Sequence, residues 1–271
     1  MDAGTALATA EDADLERRFG GLRRLYGDAG YARLRRGSVA VVGLGGVGSW
    51  AVEALARSGV ARLVLIDLDH VSESNINRQV QATGRTLGQH KGLALRERIA
   101  DIHPGCDVQV VDAFVDAENW PGLLSAPVGV LVDACDQVRA KAALAAWALR
   151  GGVPVVTVGA AGGKRSPQAV EVADLADVTH DPLLASLRQR LRKTAGAPSR
   201  GRIGVRCVYS RESVLLPQGV CDPREPPAAQ APDTAATDGT LNCHGYGSSV
   251  AVTATFGMVA AGEALAQLIA A

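Results

Sequence analysis

The sequence has no C-x-x-C pair. Its cysteines, Cys106, Cys135, Cys207, Cys221 and Cys243, stand far apart, which argues against a tetrahedral structural zinc site. An odd, scattered set also offers no disulfide framework. With no secretory leader in view, the thiols read as reduced and the protein as cytoplasmic. Net charge is lacking too: 28 Lys and Arg balance 28 Asp and Glu, so overall charge calls for no polyanion. No segment repeats. Long apolar runs are missing except for "VAVTATFGMVAAGEALAQLIAA" near the end, which Glu263, glycines and threonines interrupt. That run reads as a buried packing helix, with a peripheral membrane contact the less favoured alternative.

One local absence points the other way. No acid lies between Asp181 and Glu212, while Arg188, Arg190, Arg192, Lys193, Arg200, Arg202 and Arg206 all do. A second basic group comprises Arg17, Arg18, Arg23, Arg24, Arg33, Arg35 and Arg36. Any single arginine here belongs on a solvated helix face. Two clusters on a neutral chain nevertheless suit an anionic macromolecule.

What is present is mostly punctuation between apolar runs. Residues 1–13, of Ala, Thr and acid, read as a disordered leader, and 14–271 as one domain. Leu15–Arg36 has a helical, Arg-rich pattern. "SVAVVG" is a continuous apolar run closed by glycine, as a buried parallel strand should be. The next segments are "GSWAVEALARSG" (helix), "ARLVLIDLD" (strand), "HKGLALRERIADIHP" (helix) and "CDVQVVDAFV" (strand). They are followed by "PVGVLVDACD" (strand), "QVRAKAALAAWALRGG" (helix) and "VPVVTVG" (strand). This alternation over residues 38–158 predicts an α/β fold, a doubly wound Rossmann-like, mostly parallel sheet. Beyond it, "QAVEVADL" and "GVRCVYSRE" read as additional strands around a basic helix at 182–193, and a last helix runs from about Ser249. Residues 217–240, rich in Pro, Ala and Asp, read as a mobile loop.

Gly43, Gly45, Gly46 and Gly48 fall between a strand and a helix. There, small residues let the backbone approach phosphate and the helix N-terminus supplies N–H donors. Asp67 ends the next strand, where an acid bonds ribose hydroxyls. Loop and acid do not separate NAD from ATP, but the next residues do. Asn75, Asn77, Arg78 and Gln79 follow directly, and Lys91 opens the next helix. Arg78 and Lys91 suit a polyphosphate, which a hydride-transfer cofactor needs far less. Asp133 and Asp136 end a further strand, facing the same crevice by the switch-point rule, and a carboxylate there suits Mg²⁺ beside phosphate oxygens. Each residue alone could be a helix cap or an ion pair. As a set on one crevice they describe a triphosphate site.

The stretches "GLGGVGSW", "LIDLDHVSESNINRQ", "GQHKGLALRERIADIHP" and "VDACDQV" resemble the adenylation domain of the ubiquitin-activating superfamily, which includes the thiamine and molybdopterin sulfur-carrier activators. The resemblance implies ATP and Mg²⁺ turning a carboxylate into an acyl-adenylate. By motif match, Asp67 would hold the ribose, Arg78 and Lys91 the phosphates, and Asp136 the Mg²⁺, while Asn75 would line the site. Gln137 departs from the Asn usual after that acid. "RRFGG" resembles the superfamily's arginine donated across a dimer interface, which implies a homodimer and makes Arg18 the trans-acting candidate. A monovalent cation (Na⁺ or K⁺) near the 70–85 loop is a further expectation.

The carrier-protein activators generally hold zinc on two C-x-x-C pairs, absent here. "RRFGGLRRLYG", "VRAKAALAAWALRGGVPVVTVGAAGGKRSPQ", "VEVADLADVTHDPLLASLRQRLRK", "VRCVYSRE" and "NCHGYGSSVAVTATFGMVA" resemble instead the tRNA threonylcarbamoyladenosine dehydratases. That branch implies adenylation of the threonyl carboxylate of N6-threonylcarbamoyladenosine in tRNA. The modification's own carbamoyl group then closes a ring, so no protein nucleophile is required. Cys243, at a position matching a cysteine of that family, could form a thioester, accept sulfur from a cysteine desulfurase partner, or be a small buried hydrophobe. Three other readings compete. An activator of a ubiquitin-like or sulfur-carrier C-terminus would want zinc cysteines. An NAD(P) oxidoreductase would leave Arg78, Lys91 and Asp136 without a role. A non-catalytic nucleotide module would not need the full set of site residues.

Overall fold

Alternate residues of strand β1 (Ser38–Val42) enter two different cores, and this organises the fold. Val39 and Val41 join an apolar cluster on one side of the sheet, Ala40 and Val42 one on the other. A strand covered on both faces must be apolar at every position, which is why the run reads continuous rather than alternating. The computed structural model describes residues 14–215 and 246–271. The expectations for 1–13 and 217–240, and that for Cys243, lie outside the described residues.

After β1 come α2 (Gly48–Arg57), β2 (Arg62–Ile66), α3 (Lys91–Ile102), β3 (Asp107–Val111), β4 (Val130–Asp133), α4 (Val138–Gly151) and β5 (Val155–Val158). Then follow β6 (Val170–Asp174), α5 (Pro182–Thr194), β7 (Arg206–Ser210) and α6 (Val250–Ala270), with α1 (Leu15–Leu34) preceding them all. The strands form one seven-stranded sheet in the order β3-β2-β1-β4-β5-β7-β6. Every pairing is parallel except β6 with β7. Residues of α2, α3 and α6 fill one core, and residues of α4 and α5 the other. The strand order therefore reverses between β1 and β4, and the carboxyl ends of those two strands open a crevice.

Two expectations change. Helix and strand do not alternate strictly: β3 passes to β4 through turns at residues 112–129, with no helix. Pro121, Gly122, Pro127 and Gly129 deny that segment a helical run. Trp120 is buried there, edge-on to Trp147 of α4 at 5.2 Å. The first helix is also broken, since Gly27 takes φ +71° within it. Helix α5 begins as its residues dictate, with Asp181 as N-cap accepting from Leu184 N at 3.0 Å and Pro182 in the first turn.

Helix α6 is long and apolar enough to cross a membrane, yet half of that stretch is buried inside the fold. Its Phe256, Ala260, Ala264 and Leu268 belong to the core. At Gly257 a Cβ would come within 2.5 Å of the Val47 carbonyl oxygen and 2.7 Å of Trp50 Cβ. Only glycine admits this close crossing over the start of α2.

Candidate functional site

A cleft of about 890 Å³ opens over the carboxyl ends of β1, β2 and β4. Its rear wall is the loop between β1 and α2. Gly43 takes φ +85°, and a Cβ there would sit 2.8 Å from the backbone of Ala134 and Cys135. A Cβ on Gly48 would collide with the Gly43 carbonyl. Backbone packing thus requires glycine at both positions, while Gly43, Gly45 and Gly46 all line the cleft. Helix α2 has no side-chain cap at its N-terminus; the Ser49 N–H is taken by the Gly45 carbonyl at 3.1 Å, and the positive end of the helix suits an anion.

Asp67 lies in the cleft wall just past the end of β2. Its Oδ2 accepts from Leu44 N at 2.6 Å and its Oδ1 from Asp69 N at 2.8 Å. Lys91 begins α3 with its side chain largely buried and Nζ 2.7 Å from Asp69 Oδ2. His90, which sequence reasoning passed over, joins these two parts. Its Nδ1 accepts from Gly92 N at 3.1 Å, so its Nε2–H donates to the Asp67 carbonyl at 2.9 Å. The "HK" pair preceding an apolar helical run was the available signal, since a side-chain acceptor belongs at an N-cap.

Arg78 Nη1 donates to Ser74 O at 2.5 Å and Asn77 Oδ1 at 3.0 Å, and the arginine's carbonyl accepts from Trp50 Nε1 at 2.9 Å. Its side chain lies beside Gly46, where an added Cβ would be 3.2 Å away. Asn75 lines the cleft and also shapes it, its Oδ1 accepting from Ser72 N at 3.1 Å. Residues 113–115 form an apolar wall whose Phe114 is 58% exposed. Asp136 lines the cleft as expected. Burial raises its pKa, and the nearby Asp69 and Asp67 carboxylates add to the rise against the opposing pull of its own backbone N–H and of Lys141.

Asp133 does not face the crevice. It is fully buried, with Oδ2 accepting from Thr157 Oγ1 at 2.6 Å and Lys141 Nζ at 3.1 Å. Burial pulls the Lys141 pKa down, but the Asp133 carboxylate more than offsets that and raises it. The strand period explains the difference: Asp133 is the last paired residue of β4, whereas Asp136 lies beyond the strand. Arg18 lies outside the cleft as well. Its Nη1 donates at 2.8 Å to the carbonyls of Asp101 and Ile102, closing the C-terminal end of α3.

A glycine loop, a backbone-anchored carboxylate just past β2, two cations and a further acid thus converge on one cleft at the point where the strand order of the sheet reverses. This convergence defines a nucleotide-activating enzyme class. Residues 18–271 match the ThiF family, to which the chain belongs, within its tRNA threonylcarbamoyladenosine dehydratase branch. The tRNA threonylcarbamoyladenosine dehydratase of Escherichia coli is 43% identical over 259 residues, spanning 93% of this chain and 94% of that protein. The Haemophilus influenzae protein of the same name is 39% identical over 258 residues, 94% of each. The crystal structure of the E. coli enzyme in complex with ATP superposes with a TM-score of 0.81 at 40% identity, covering 95% of this chain and 96% of that one.

Proposed function

We propose that this chain is an ATP-dependent tRNA threonylcarbamoyladenosine dehydratase. The observation carrying this reading is the convergence of Arg78, Lys91 and Asp136 on the glycine-loop cleft of a chain that aligns over 93% of its length with such an enzyme. The threonyl carboxylate of the modified adenosine attacks the α-phosphorus of ATP, and pyrophosphate leaves. The carbamoyl group of the same modification then attacks the acyl carbon and AMP departs, so that water is lost overall. Arg78 and Lys91 offset charge accumulating on the phosphates, Asp67 orients the ribose, and the loop N–H groups cradle phosphate oxygens.

Mg²⁺ fits Asp136. The Asp69 and Asp67 carboxylates press on Asp136 across the cleft, a repulsion that a cation relieves. No group of three or more metal-type side chains forms a cage among the described residues, in keeping with an ion held by one or two carboxylates plus phosphate. When bound, such an ion supplies Lewis-acid activation of the phosphate. A monovalent cation fits the 70–85 loop, where Gln81 Oε1 is buried without a partner.

The substrate tRNA lies along α5. Arg188 is spent on the carbonyls of Leu175 and Val178, and Arg206 on Glu263. Arg202 is exposed but paired with Asp174 at 3.9 Å, and Arg190, Lys193 and Arg200 remain exposed for phosphates. The active form is a homodimer, in which Arg18 leaves the Asp101 and Ile102 carbonyls to reach a partner's phosphates. It works in the cytoplasm, with α6 as a core helix. A cysteine desulfurase or sulfur acceptor is the partner that Cys243 would meet. Activation of a ubiquitin-like or sulfur-carrier C-terminus is disfavoured by the missing C-x-x-C pairs.

The test is AMP release from ATP with tRNA bearing threonylcarbamoyladenosine, set against unmodified tRNA. Turnover restricted to the modified tRNA is expected. Equal turnover with both, or none with either, sinks the assignment.

A further inference from the structure

A second recess, of about 370 Å³, adjoins the nucleotide cleft, and the two share Pro182 and Val214 as lining. His180, Arg188, Ser213 and Ala185 also line it. No role in adenylation falls to any of them.

The recess is rigidly built. Buried Lys164 donates to the carbonyls of Ser210 at 3.1 Å and Glu212 at 2.9 Å. The Glu212 carboxylate in turn accepts from Arg165 N at 3.0 Å and Ser166 N at 2.9 Å. Leu215 N donates to Gly163 O at 2.8 Å. Together these clamp residues 210–215, and Val214 with them, to the turn beyond the cleft wall. On the opposite flank Asp181 accepts from Leu184 N and from Ala160 N, at 3.0 and 2.9 Å. That ties the start of α5 to the cleft-lining segment 159–162. Between these supports His180 holds φ +59°. Histidine is among the side chains that adopt this conformation more readily than most, and here its Nδ1 lies 3.0 Å from Thr179 Oγ1.

The chemistry of the recess suits a nucleotide. It offers the His180 imidazole, its Nδ1 beside Thr179 Oγ1, the Ser213 hydroxyl and the flank of Arg188, whose Nη1 is committed to the Leu175 and Val178 carbonyls, around small apolar groups. Its one carboxylate, Asp181, is buried and turned onto the Leu184 and Ala160 backbone N–H groups, which bond both of its oxygens. Helix α5 leads from it to exposed Arg190 and Lys193.

We propose that this recess is a subsite for the nucleotide adjoining the modified adenosine in the RNA strand, so that the enzyme reads two consecutive nucleotides across the Pro182–Val214 wall. The proposal rests on the tRNA reading above. It explains why a cleft sized for ATP and a modified adenosine carries a polar annex on the side facing the basic helix.

The test uses the full chain and an anticodon stem-loop bearing threonylcarbamoyladenosine. His180→Gly removes the imidazole and relieves the positive φ, so the variant melts at or above the wild-type temperature. Ala185→Glu puts a carboxylate into the recess at an exposed helical position, and Ala185→Gln is its neutral match. His180→Gly and Ala185→Glu should raise KM for the stem-loop about tenfold, the loss of roughly one good polar contact. KM for ATP should not move, and Ala185→Gln, which adds the same bulk without the charge, should raise the stem-loop KM less than Ala185→Glu. In parallel, 4-thiouridine placed next to the modified adenosine should photocrosslink to residues 178–188 or 213–214. An unchanged stem-loop KM in both variants, or crosslinks mapping elsewhere, overturns the subsite while leaving the dehydratase reading intact. A wild-type protein inert towards the modified stem-loop overturns that reading, and the subsite with it.

Discussion

Lys91 Nζ sits 2.7 Å from the Asp69 carboxylate at the edge of the cleft, with the lysine buried and the aspartate half open to solvent. An ammonium held this way is pre-aimed, and a bound triphosphate competes with Asp69 for it. Replacing the lysine leaves only a half-exposed carboxylate unpaired, which costs ~1 kcal/mol or less. Lys91→Met should therefore melt close to wild type yet raise KM for ATP about tenfold or more, because a charge-assisted contact is worth ~1.5–3 kcal/mol. Nucleotide titration and thermal melting together check this. An unchanged KM would remove Lys91 from the phosphate site.

Asp133 and Asp136 stand three residues apart and should fail in opposite ways. Asp133 carries the buried pair with Lys141. Asp133→Ala leaves that cation uncompensated, and loss of one partner of a buried pair costs ~3–5 kcal/mol. The expected result is poor folding. Asp136→Ala removes a like charge from beside Asp67 and Asp69 and should leave the melting temperature unchanged or raised. ATP–pyrophosphate exchange should nevertheless vanish. If exchange persists in a folded Asp136→Ala, the acid is not at the metal position.

Much of this was legible in the residues. The apolar runs ending in Gly43, Asp67 and Asp133 mark strands because a doubly covered sheet permits little else. The glycine loop and Lys91 also sit where strand-to-helix order places them. Less legible was anything decided by side-chain direction or by contacts distant in sequence. The assignment of Asp133 to the crevice was wrong because a strand's final residue points according to pairing, and the buried lysine that claims it comes from a helix. The break at Gly27 escaped notice because a helical apolar pattern continues through it. His90 was missed because its value lies in joining Asp67 to α3, a contact between separate elements.

The loop glycines separate into two functional kinds. Gly43 has a positive φ and backbone atoms 2.8 Å from any Cβ, whereas at Gly45 a Cβ meets nothing within 4 Å. Gly43→Ala should destabilise the fold by ~1–3 kcal/mol from strain alone. Gly45→Ala should fold normally and lose ATP affinity, since its methyl group enters the space the phosphates need. Denaturant titrations beside nucleotide binding distinguish the two. Equal stability losses would mean the loop is held by something other than the Gly43 contact.

His103 gives the fold a pH dependence remote from the cleft. Burial lowers its pKa from 6.5 to about 4, with Arg35 and Arg18 adding to the shift. The unfolded chain therefore binds a proton between about pH 6.5 and 4 that the folded chain refuses. Stability should rise with pH across that window and fall as pH drops through it. His103→Gln should flatten this dependence while the wild type loses several degrees in Tm, at ~2–4 °C for each kcal/mol. Melting curves at closely spaced pH decide the matter. A slope unchanged in His103→Gln would assign the effect to carboxylates instead.

Arg188 and Arg190 differ by half a helical turn, and that decides which of them can meet RNA. Arg188 is turned inward onto the carbonyls of Leu175 and Val178 at 3.0 and 2.8 Å, while Arg190 and Lys193 face solvent. Arg188→Ala should therefore lower stability and leave the RNA affinity of the folded protein close to wild type. Arg190→Glu and Lys193→Glu should weaken RNA binding with no change in melting. Because phosphate contacts release counterions, each contact removed should also reduce the slope of log Kd against log salt by ~1. Filter binding over a range of salt concentrations, with modified and unmodified tRNA, reads both quantities. Reduced affinity at an unchanged slope would mean these side chains touch bases or protein rather than phosphate, and the RNA path would have to be redrawn away from α5.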